Sequence, residues 1–302
     1  MPGHAPLLPT LALLLNALVW GLSWWPFRQL ERLGLHPLWA TAMVYLLSLA
    51  CLLAWRPGAW RGWSRQPLLW LLMLATGLSN VGFNWAVTVG DVVRVVLLFY
   101  LMPAWSILLA WWLLGERPTR AALGRLALAL SGVLIVLKAP DSAWPWPETA
   151  ADFLALLGGF SFALTNVLLR RLHRTPEASR ALAMFGGGAG MASAVALLGL
   201  TLGRGGVTPL PAPSADWLVL GGLLSLAFLA GNLALQYGAA RLRAHATALI
   251  MLSEVVFASL SSVLLGAAEL SARTLAGGAL VILAAALSAW PTRVERSALA
   301  GS

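Results

Sequence analysis

Two pairs of amide side chains form the clearest chemical pattern in the sequence. Asn80 precedes Asn84 by four residues, and Asn232 precedes Gln236 by the same interval. On a helix, this spacing places both members of a pair on one face. Amides donate and accept hydrogen bonds, which suits the two ends of a zwitterionic ligand. The alternative role is structural, because Asn and Gln also bond neighbouring helices to each other within membranes.

A stripe of aromatic and polar side chains follows helical spacing through the first apolar run: Asn16, Trp20, Ser23 and Phe27. Further along, Tyr100 stands just before Pro103, and Asn166 lies in a later apolar run. Aromatic rings with a few directed polar groups are typical of a pocket for a small organic ligand. We therefore expect Trp20, Ser23, Tyr100 and Asn166 to line such a pocket. The alternative is that the Trp residues mark helix packing and membrane interfaces.

One carboxylate, Glu254, lies about midway along a long apolar run. Ionised and unpaired, it would be costly inside a membrane, so we expect it to be protonated, paired or in contact with water. Proton exchange and binding of a substrate amine are the functional interpretations, and a buried hydrogen bond is the structural one. By contrast, Asp91, Glu116 and Glu269 lie near the ends of apolar runs, where a solvated or capping role is expected.

The composition of the chain requires a membrane around these residues. Of the 302 residues, 60% are hydrophobic and 10% are charged, whereas soluble domains carry about 25% charged residues. A helix that crosses a bilayer needs about 20 apolar residues. Ten runs approach or meet this length: 7–29, 37–55, 67–88, 92–114, 121–138, 152–172, 180–203, 216–240, 244–266 and 272–290. The expected fold class is therefore an all-α integral membrane protein with ten transmembrane helices.

The net charge of +9 does not indicate a nucleic-acid partner. Basic residues gather in the cytoplasmic loops of membrane proteins, and about 14 of the 20 Lys and Arg fall on the side of the two termini. We therefore expect both termini to be cytoplasmic and Trp144 and Trp146 to lie at the outer surface. Cys51 is the sole cysteine, so neither a disulfide nor a cysteine metal site is expected, and no cofactor is predicted.

The sequence also contains an internal repeat. The register that pairs Asn80 with Asn232 also pairs Asn84 with Gln236 and, without a gap, Met102 with Glu254. A second alignment sets residues 20–23 against 162–165 and brings Arg28 opposite Arg170. These matches divide one integrated membrane domain into two five-helix repeats, residues 1–140 and 141–302. Five spans per half predict that the halves are inverted around a central cavity, the usual basis of alternating access in secondary transporters.

Proline and glycine positions predict local backbone features. Pro103 removes a hydrogen bond within the fourth run and favours a kink there. The glycine-rich segment 186–190 indicates either bending or close packing of the seventh run. Four further glycines predict close helix contacts, or alternatively a homodimer face through the fifth and tenth helices: Gly124, Gly132, Gly277 and Gly278.

Several short motifs in these runs resemble the drug/metabolite transporter superfamily, specifically its EamA-like ten-helix branch: Trp20-Gly21, Met102-Pro103, Gly115-Glu116-Arg117 and Gly124 with Gly132, with Glu254, Glu269 and Gly277 in the second half. The resemblance implies a basket of ten helices whose central cavity is lined by helices 1, 3, 4, 6, 8 and 9. Helices 5 and 10 would lie at the periphery.

Within that superfamily the chain looks most like the amino-acid exporters, including those for aromatic amino acids. This resemblance implies a secondary transporter that exports small metabolites, chiefly neutral amino acids, across the plasma (inner) membrane by alternating access. The expected partners are the lipid bilayer and a small-molecule substrate, which would contact the amides, aromatic residues and Glu254 described above.

Two other functions are alternatives. A drug or nucleotide-sugar carrier of the same fold is the first, but a diphosphate needs cationic partners, and Lys and Arg lie near the ends of the runs. An intramembrane enzyme is the second, because Gly21-Leu22-Ser23 resembles a serine-protease motif with His245 as its base. Ser23 and His245 should lie at different depths, so we expect no catalytic residues and no enzymatic activity.

The predicted orientation can be tested by labelling a cysteine placed in the linker between the halves. In a Cys51→Ser background, we expect Trp146→Cys to react with a membrane-impermeant maleimide in intact cells. Arg61→Cys, in a loop expected to be cytoplasmic, should react only after permeabilisation. The reverse pattern would show that the termini face outward.

Overall fold

The computed structural model describes residues 7–61, 63–89, 92–137, 147–203, 206–265 and 272–289, and in these ranges helices occupy all ten apolar runs. The twelve α-helices in these ranges are α1 Leu7–Arg32, α2 Pro37–Trp55, α3 Pro67–Val89, α4 Val92–Phe99, α5 Met102–Leu114, α6 Arg120–Leu137, α7 Ala150–Arg171, α8 Glu177–Leu202, α9 Ala215–Ala239, α10 Ala244–Met251, α11 Ser253–Leu264 and α12 Ala272–Ala289. The described ranges contain no strand. Asp91, Trp144, Trp146 and Glu269 lie outside them.

The helices form a multi-pass membrane protein. Among the described residues, eight segments are long and apolar enough to cross a bilayer, including Val95–Leu114 and Ala244–Ser261, which each combine two of the shorter helices. The outer surface carries large apolar side chains, of which Trp112 is 80% exposed and Leu264 is 84% exposed. Such a surface would be costly in water but matches lipid tails.

Local sequence signals explain where several helices begin and end. Pro37 opens α2, since a proline in the first turn forfeits no helical hydrogen bond. Thr149 and Asp152 form a capping box that starts α7 two residues before the predicted position. Gly115, with φ of 70°, ends α5 in the left-handed conformation that glycine adopts without strain.

The fourth predicted run is broken between α4 and α5, in agreement with the distortion expected from Pro103. Proline has no N–H to donate to the carbonyl of Phe99 one turn earlier. This carbonyl faces Gly159 of α7, where an added Cβ would lie 2.5 Å from its oxygen. Glycine at this position therefore lets α7 approach the break closely.

The ninth run is broken as well, between α10 and α11, and here the sequence has no proline. The Ser253 hydroxyl donates a hydrogen bond of 2.7 Å to the carbonyl oxygen of Ile250, and so competes with the helical backbone at Leu252. Leu252 corresponds to Tyr100 in the register that pairs Asn80 with Asn232. The two breaks therefore fall at equivalent positions of the sequence repeat.

Glycines set the closest contacts between the long helices. α3 packs against α7 and α8, while α1 packs against α9 and α11. A Cβ on Gly77 of α3 would lie 2.7 Å from the carbonyl oxygen of Gly187 on α8. α8 runs unbroken through 186–190, so this glycine-rich segment serves close packing and does not bend the helix.

The α6–α12 pair depends on two of the glycines that the sequence singled out. A Cβ on Gly132 would lie 2.6 Å from the Gly277 oxygen, and a Cβ on Gly277 would lie 2.5 Å from the Gly132 oxygen. The predicted close contact therefore exists within one chain. Gly124 has no atom within 4 Å of its added Cβ. A dimer face through α6 and α12 stays a prediction.

This difference predicts opposite effects of the same substitution in one helix. Gly132→Ala should destabilise the fold by about 1–3 kcal/mol, because backbone atoms would have to move apart. Gly124→Ala should be neutral or stabilising by up to about 1 kcal/mol, because alanine favours the helix. Thermal unfolding of the two purified variants in detergent, compared with wild type, measures both. Equal stability of the two variants would contradict the observed α6–α12 contact.

Candidate functional site

A cavity lies among the helices, and the space between its lining atoms, including the solvent at its mouth, is about 540 Å³. Its wall consists mainly of aromatic and polar side chains: Trp20, Tyr45, Thr76, Ser79, Asn80, Phe83, Phe99, Phe162, Thr165, Met184, Asn232, Leu235, Met251 and Glu254. All six runs predicted to line the cavity contribute to its wall, through α1, α3, α4, α7, α9 and the pair α10 and α11. The second and seventh runs, which are α2 and α8, also reach the wall, through Tyr45 and Met184.

Tyr45 links the two repeat-related amides on the wall. Its hydroxyl donates a hydrogen bond of 2.9 Å to Asn80 Oδ1 and is also within hydrogen-bonding reach of Asn232. Each amide nitrogen donates backwards along its own helix, Asn80 to the Thr76 oxygen and Asn232 to the Phe228 oxygen, both at 2.8 Å. An amide NH₂ has two protons, so each retains one N–H that these bonds do not use.

Tyr45 did not emerge from the sequence pattern, although a signal existed. The chain has only 3 Tyr, and this one lies inside an apolar run, where a buried hydroxyl needs a partner. It is 1% exposed and packs against Phe185 and Phe228. The Asn–Tyr–Asn arrangement combines the two interpretations of the amides, because Asn80 and Asn232 both face the cavity and take part in interhelical bonding.

A further part of the wall is aromatic. Phe99, at the end of α4, has its ring centroid 4.7 Å from that of Phe83 and 5.9 Å from that of Phe162. Trp20 of α1 packs edge-on against Phe228 at 4.8 Å. These rings provide an apolar surface with polarised faces, which suits a flat side chain or an organic cation.

Glu254 is the only charged side chain on the described wall and is half-buried. It follows the α10–α11 break by two residues. Its carboxyl group accepts a hydrogen bond from the Tyr100 hydroxyl, which lies at the other break. Tyr100 is 5% exposed and supports the carboxyl group without lining the cavity itself. The two helix breaks therefore meet around one carboxyl group.

The structure places four predicted residues on the wall, namely Trp20, Asn80, Asn232 and Glu254. The other five lie away from it. Ser23 donates to the Trp20 oxygen of its own helix at 2.7 Å, and Asn84 donates to Thr41 Oγ1 at 2.5 Å.

Of the remaining three, Tyr100 lies behind Glu254, while Asn166 and Gln236 are buried. Both side-chain atoms of Asn166 and the Oε1 atom of Gln236 have no hydrogen-bond partner. Substrate binding by all nine residues stays a prediction.

Ion pairs join helices at one end of the bundle. Arg170, at the end of α7, lies 3.7 Å from Glu116 and donates to the Ala240 oxygen at 3.2 Å. Arg241, after α9, donates to Glu177 of α8 at 3.4 Å. We call the end that holds Arg170, Arg180 and Arg241 the basic end.

Glu116 is a partly buried carboxyl group at the basic end, close to two arginines. Burial raises the pKa of its carboxyl group, while the charges of Arg170 and Arg243 and the backbone N–H of Ala244 oppose that shift. The carboxylate therefore connects the α5–α6 turn of the first half to two segments of the second half.

The serine-protease alternative finds no support in this geometry. Ser23 lies beside α11, because its neighbour Trp24 donates a 2.9 Å hydrogen bond to Ser261. His245 lies at the start of α10. The helical rise of 1.5 Å per residue separates these levels by about 20 Å.

The comparisons with known proteins agree with this architecture. The sequence model of the EamA-like transporter family matches residues 7–138 and again residues 149–290. A solved structure described as "Crystal structure of protein" has a TM-score of 0.71 and 20% identity, and covers 96% of this chain and 98% of its own. At that identity the likeness concerns the fold alone. A comparison with curated proteins found no match. Because the two family matches span nearly all of its length, the chain belongs to the EamA-like transporter family, whose members are membrane transporters of small molecules.

Proposed function

We propose that this chain is a secondary transporter that exports neutral amino acids, aromatic ones included, by alternating access. The observation that carries the proposal is the single carboxyl group of Glu254 on an aromatic and amide-lined wall. A charge-assisted bond from a substrate ammonium would satisfy a carboxylate that has no cationic partner on the described wall. The aromatic rings would receive the apolar side chain.

The wall amide Asn80 supplies the complementary part of the site. A substrate carboxylate needs N–H or O–H donors. The second N–H of Asn80, which its bond to the Thr76 oxygen does not use, is such a donor, and it lies on the same wall as Glu254. An ammonium site and a carboxylate site in one small cavity favour a zwitterion.

The proposed transport cycle uses ten spans in two inverted halves, residues 1–140 and 141–302. Equivalent helices make equivalent contacts, since α1 packs on α9 and α11, while α7 packs on α3 and α5. The matching breaks at Tyr100 and Leu252 support the same arrangement, because broken helices at a repeat interface are typical of transporter binding sites.

Orientation and assembly complete the proposal. We place the basic end and both termini in the cytoplasm and the chain in the plasma (inner) membrane, on the basis of the charge bias. A homodimer through α6 and α12 is supported by the open space beside Gly124.

A lipophilic organic cation is the second candidate substrate. The rings of Trp20, Phe99 and Phe162 together with Glu254 would bind a cationic drug by the same electrostatics. A nucleotide sugar is disfavoured, because no Lys or Arg lies on the described wall to bind its diphosphate.

The substrate class can be tested with purified protein in proteoliposomes. We expect flux of phenylalanine and leucine, and none of a nucleotide sugar or of tetraphenylphosphonium. Runs with and without a pH gradient show whether protons are coupled to transport. Flux of tetraphenylphosphonium without amino-acid flux would establish the second candidate instead.

Glu254→Gln keeps the shape of the side chain but removes its charge. If Glu254 binds the substrate ammonium, the half-saturation concentration should rise about 10-fold or more, as expected for a lost charged hydrogen bond. If it exchanges a proton, binding should persist while the effect of a pH gradient on flux disappears. Wild-type transport by this variant at every pH would exclude both roles and leave a structural hydrogen bond with Tyr100.

The wall amides can be separated from the buried ones by matched substitutions. Asn80→Leu and Asn232→Leu should each raise the half-saturation concentration about 5- to 30-fold, through loss of a substrate hydrogen bond. Asn84 lies one turn from Asn80 but donates a hydrogen bond to Thr41. Asn84→Leu should therefore lower thermal stability with little change in the half-saturation concentration. If all three variants lose stability and the folded protein transports normally, the amides act only between helices.

A further inference from the structure

Arg180 is a buried cation whose charge is poorly compensated. It lies in the first turns of α8 at the basic end, and its side chain is 1% exposed. Its Nε and Nη1 atoms have no hydrogen-bond partner. Nη2 reaches only Glu177, at 3.9 Å, and that carboxylate is itself exposed and bonded to Arg241. Because a guanidinium does not lose its proton in proteins, the buried N–H groups represent an unmet demand for an anion.

The position of Arg180 relates it to the cavity. Met184, four residues later and on the same face of α8, lines the cavity wall. The side chains of a helix lean towards its N-terminus, and the N-terminus of α8 is at the basic end. Arg180 therefore lies at the basic end, about one helical turn beyond the cavity wall.

Other buried polar atoms in the same half of the bundle also lack partners. They lie close to the basic end on three helices: Asn166 on α7, Gln236 on α9 and Thr247 on α10. Apolar residues such as Leu168, Leu169 and Leu242 pack in this region and close it. Polar groups buried without partners are uncommon in folded proteins, so each of these groups calls for a ligand or for a second conformation.

We propose that Arg180 binds the carboxylate of the substrate when the route between the cavity and the basic end is open. The inference rests on the proposed amino-acid transport and narrows the substrate class to molecules that carry a carboxylate. Guanidinium and carboxylate match in two parallel hydrogen bonds. The Arg180 guanidinium has two edges that offer this geometry, one formed by Nη2 and Nε and the other by Nη2 and Nη1. In each edge one nitrogen, Nε or Nη1, has no hydrogen-bond partner.

Arg180 is the first residue of the predicted run 180–203, and the structure buries its side chain, which is 1% exposed. In contrast with Glu254, which would select for the ammonium in the central cavity, Arg180 would select for the carboxylate at one side of the membrane only. Its contribution should therefore differ between the two faces of the protein.

The experiment compares L-phenylalanine with L-phenylalaninamide, which keeps the ring and the ammonium but has no carboxylate. Both are applied to proteoliposomes from the side that the basic end faces, with wild type, Arg180→Gln, Arg180→Lys and the control Arg241→Gln. Arg180→Gln should raise the half-saturation concentration for phenylalanine about 10-fold or more, while that for the amide stays unchanged. Arg180→Lys should recover part of the affinity. Arg241→Gln should leave the discrimination between the two ligands intact, because Arg241 is exposed.

If Arg180→Gln raises the half-saturation concentrations of both ligands equally, or changes neither, the proposal is overturned and Arg180 has a structural role. If Arg180→Gln does not yield folded protein, wild type provides the test. Phenylglyoxal modification of Arg180, followed by peptide mass spectrometry, should be slowed by phenylalanine and not by its amide, and equal rates would overturn the proposal. If wild type carries no amino acid, the proposed function fails first, which is a different result from transport that is indifferent to Arg180.

Discussion

A polar group in the hydrocarbon interior of a membrane has no water to bond, and this constraint determines where the polar side chains of this chain lie. Many hydroxyls bond backwards to their own helix, as Thr76 does to the Leu72 oxygen and Ser225 to the Gly221 oxygen. Asn80, Asn232 and Glu254 have more hydrogen-bonding capacity than one helix can satisfy, and all three lie on the cavity wall, where several helices meet.

The same constraint explains why most of the fold could be predicted from the sequence. A bilayer fixes the length and polarity of a spanning helix, so runs such as 37–55 and 67–88 match the observed helices within a residue or two. Pro103 indicated the first break because its chemistry is local. The second break has no such marker, since Ser253 is an ordinary helix residue whose hydroxyl bonds Ile250 only in this setting.

The site was harder to predict, because spacing gives the face of a helix but not the depth at which a cavity opens. Asn80 and Asn84 share a face, yet only Asn80 reaches the wall and Asn84 bonds Thr41. The second obstacle was the rotation of each helix about its own axis, which the pattern did not determine. The second and seventh runs are apolar on nearly all sides, so nothing in the pattern turned Tyr45 towards the centre or Arg180 away from solvent. The surroundings of both residues depend on how the neighbouring helices pack.

The two broken helices differ in what keeps each of them broken. At Pro103 the missing N–H makes the interruption permanent, whatever the surroundings. At Leu252 every backbone donor is present, and rotation of the Ser253 hydroxyl would let a continuous helix form. The two breaks therefore differ in stiffness, since one lacks a backbone donor permanently and the other is opposed only while the Ser253 hydroxyl keeps its present bond. If both breaks move during transport, the half-saturation concentrations measured from the two sides can differ, whereas equal substrate concentrations on both sides still give no net flux.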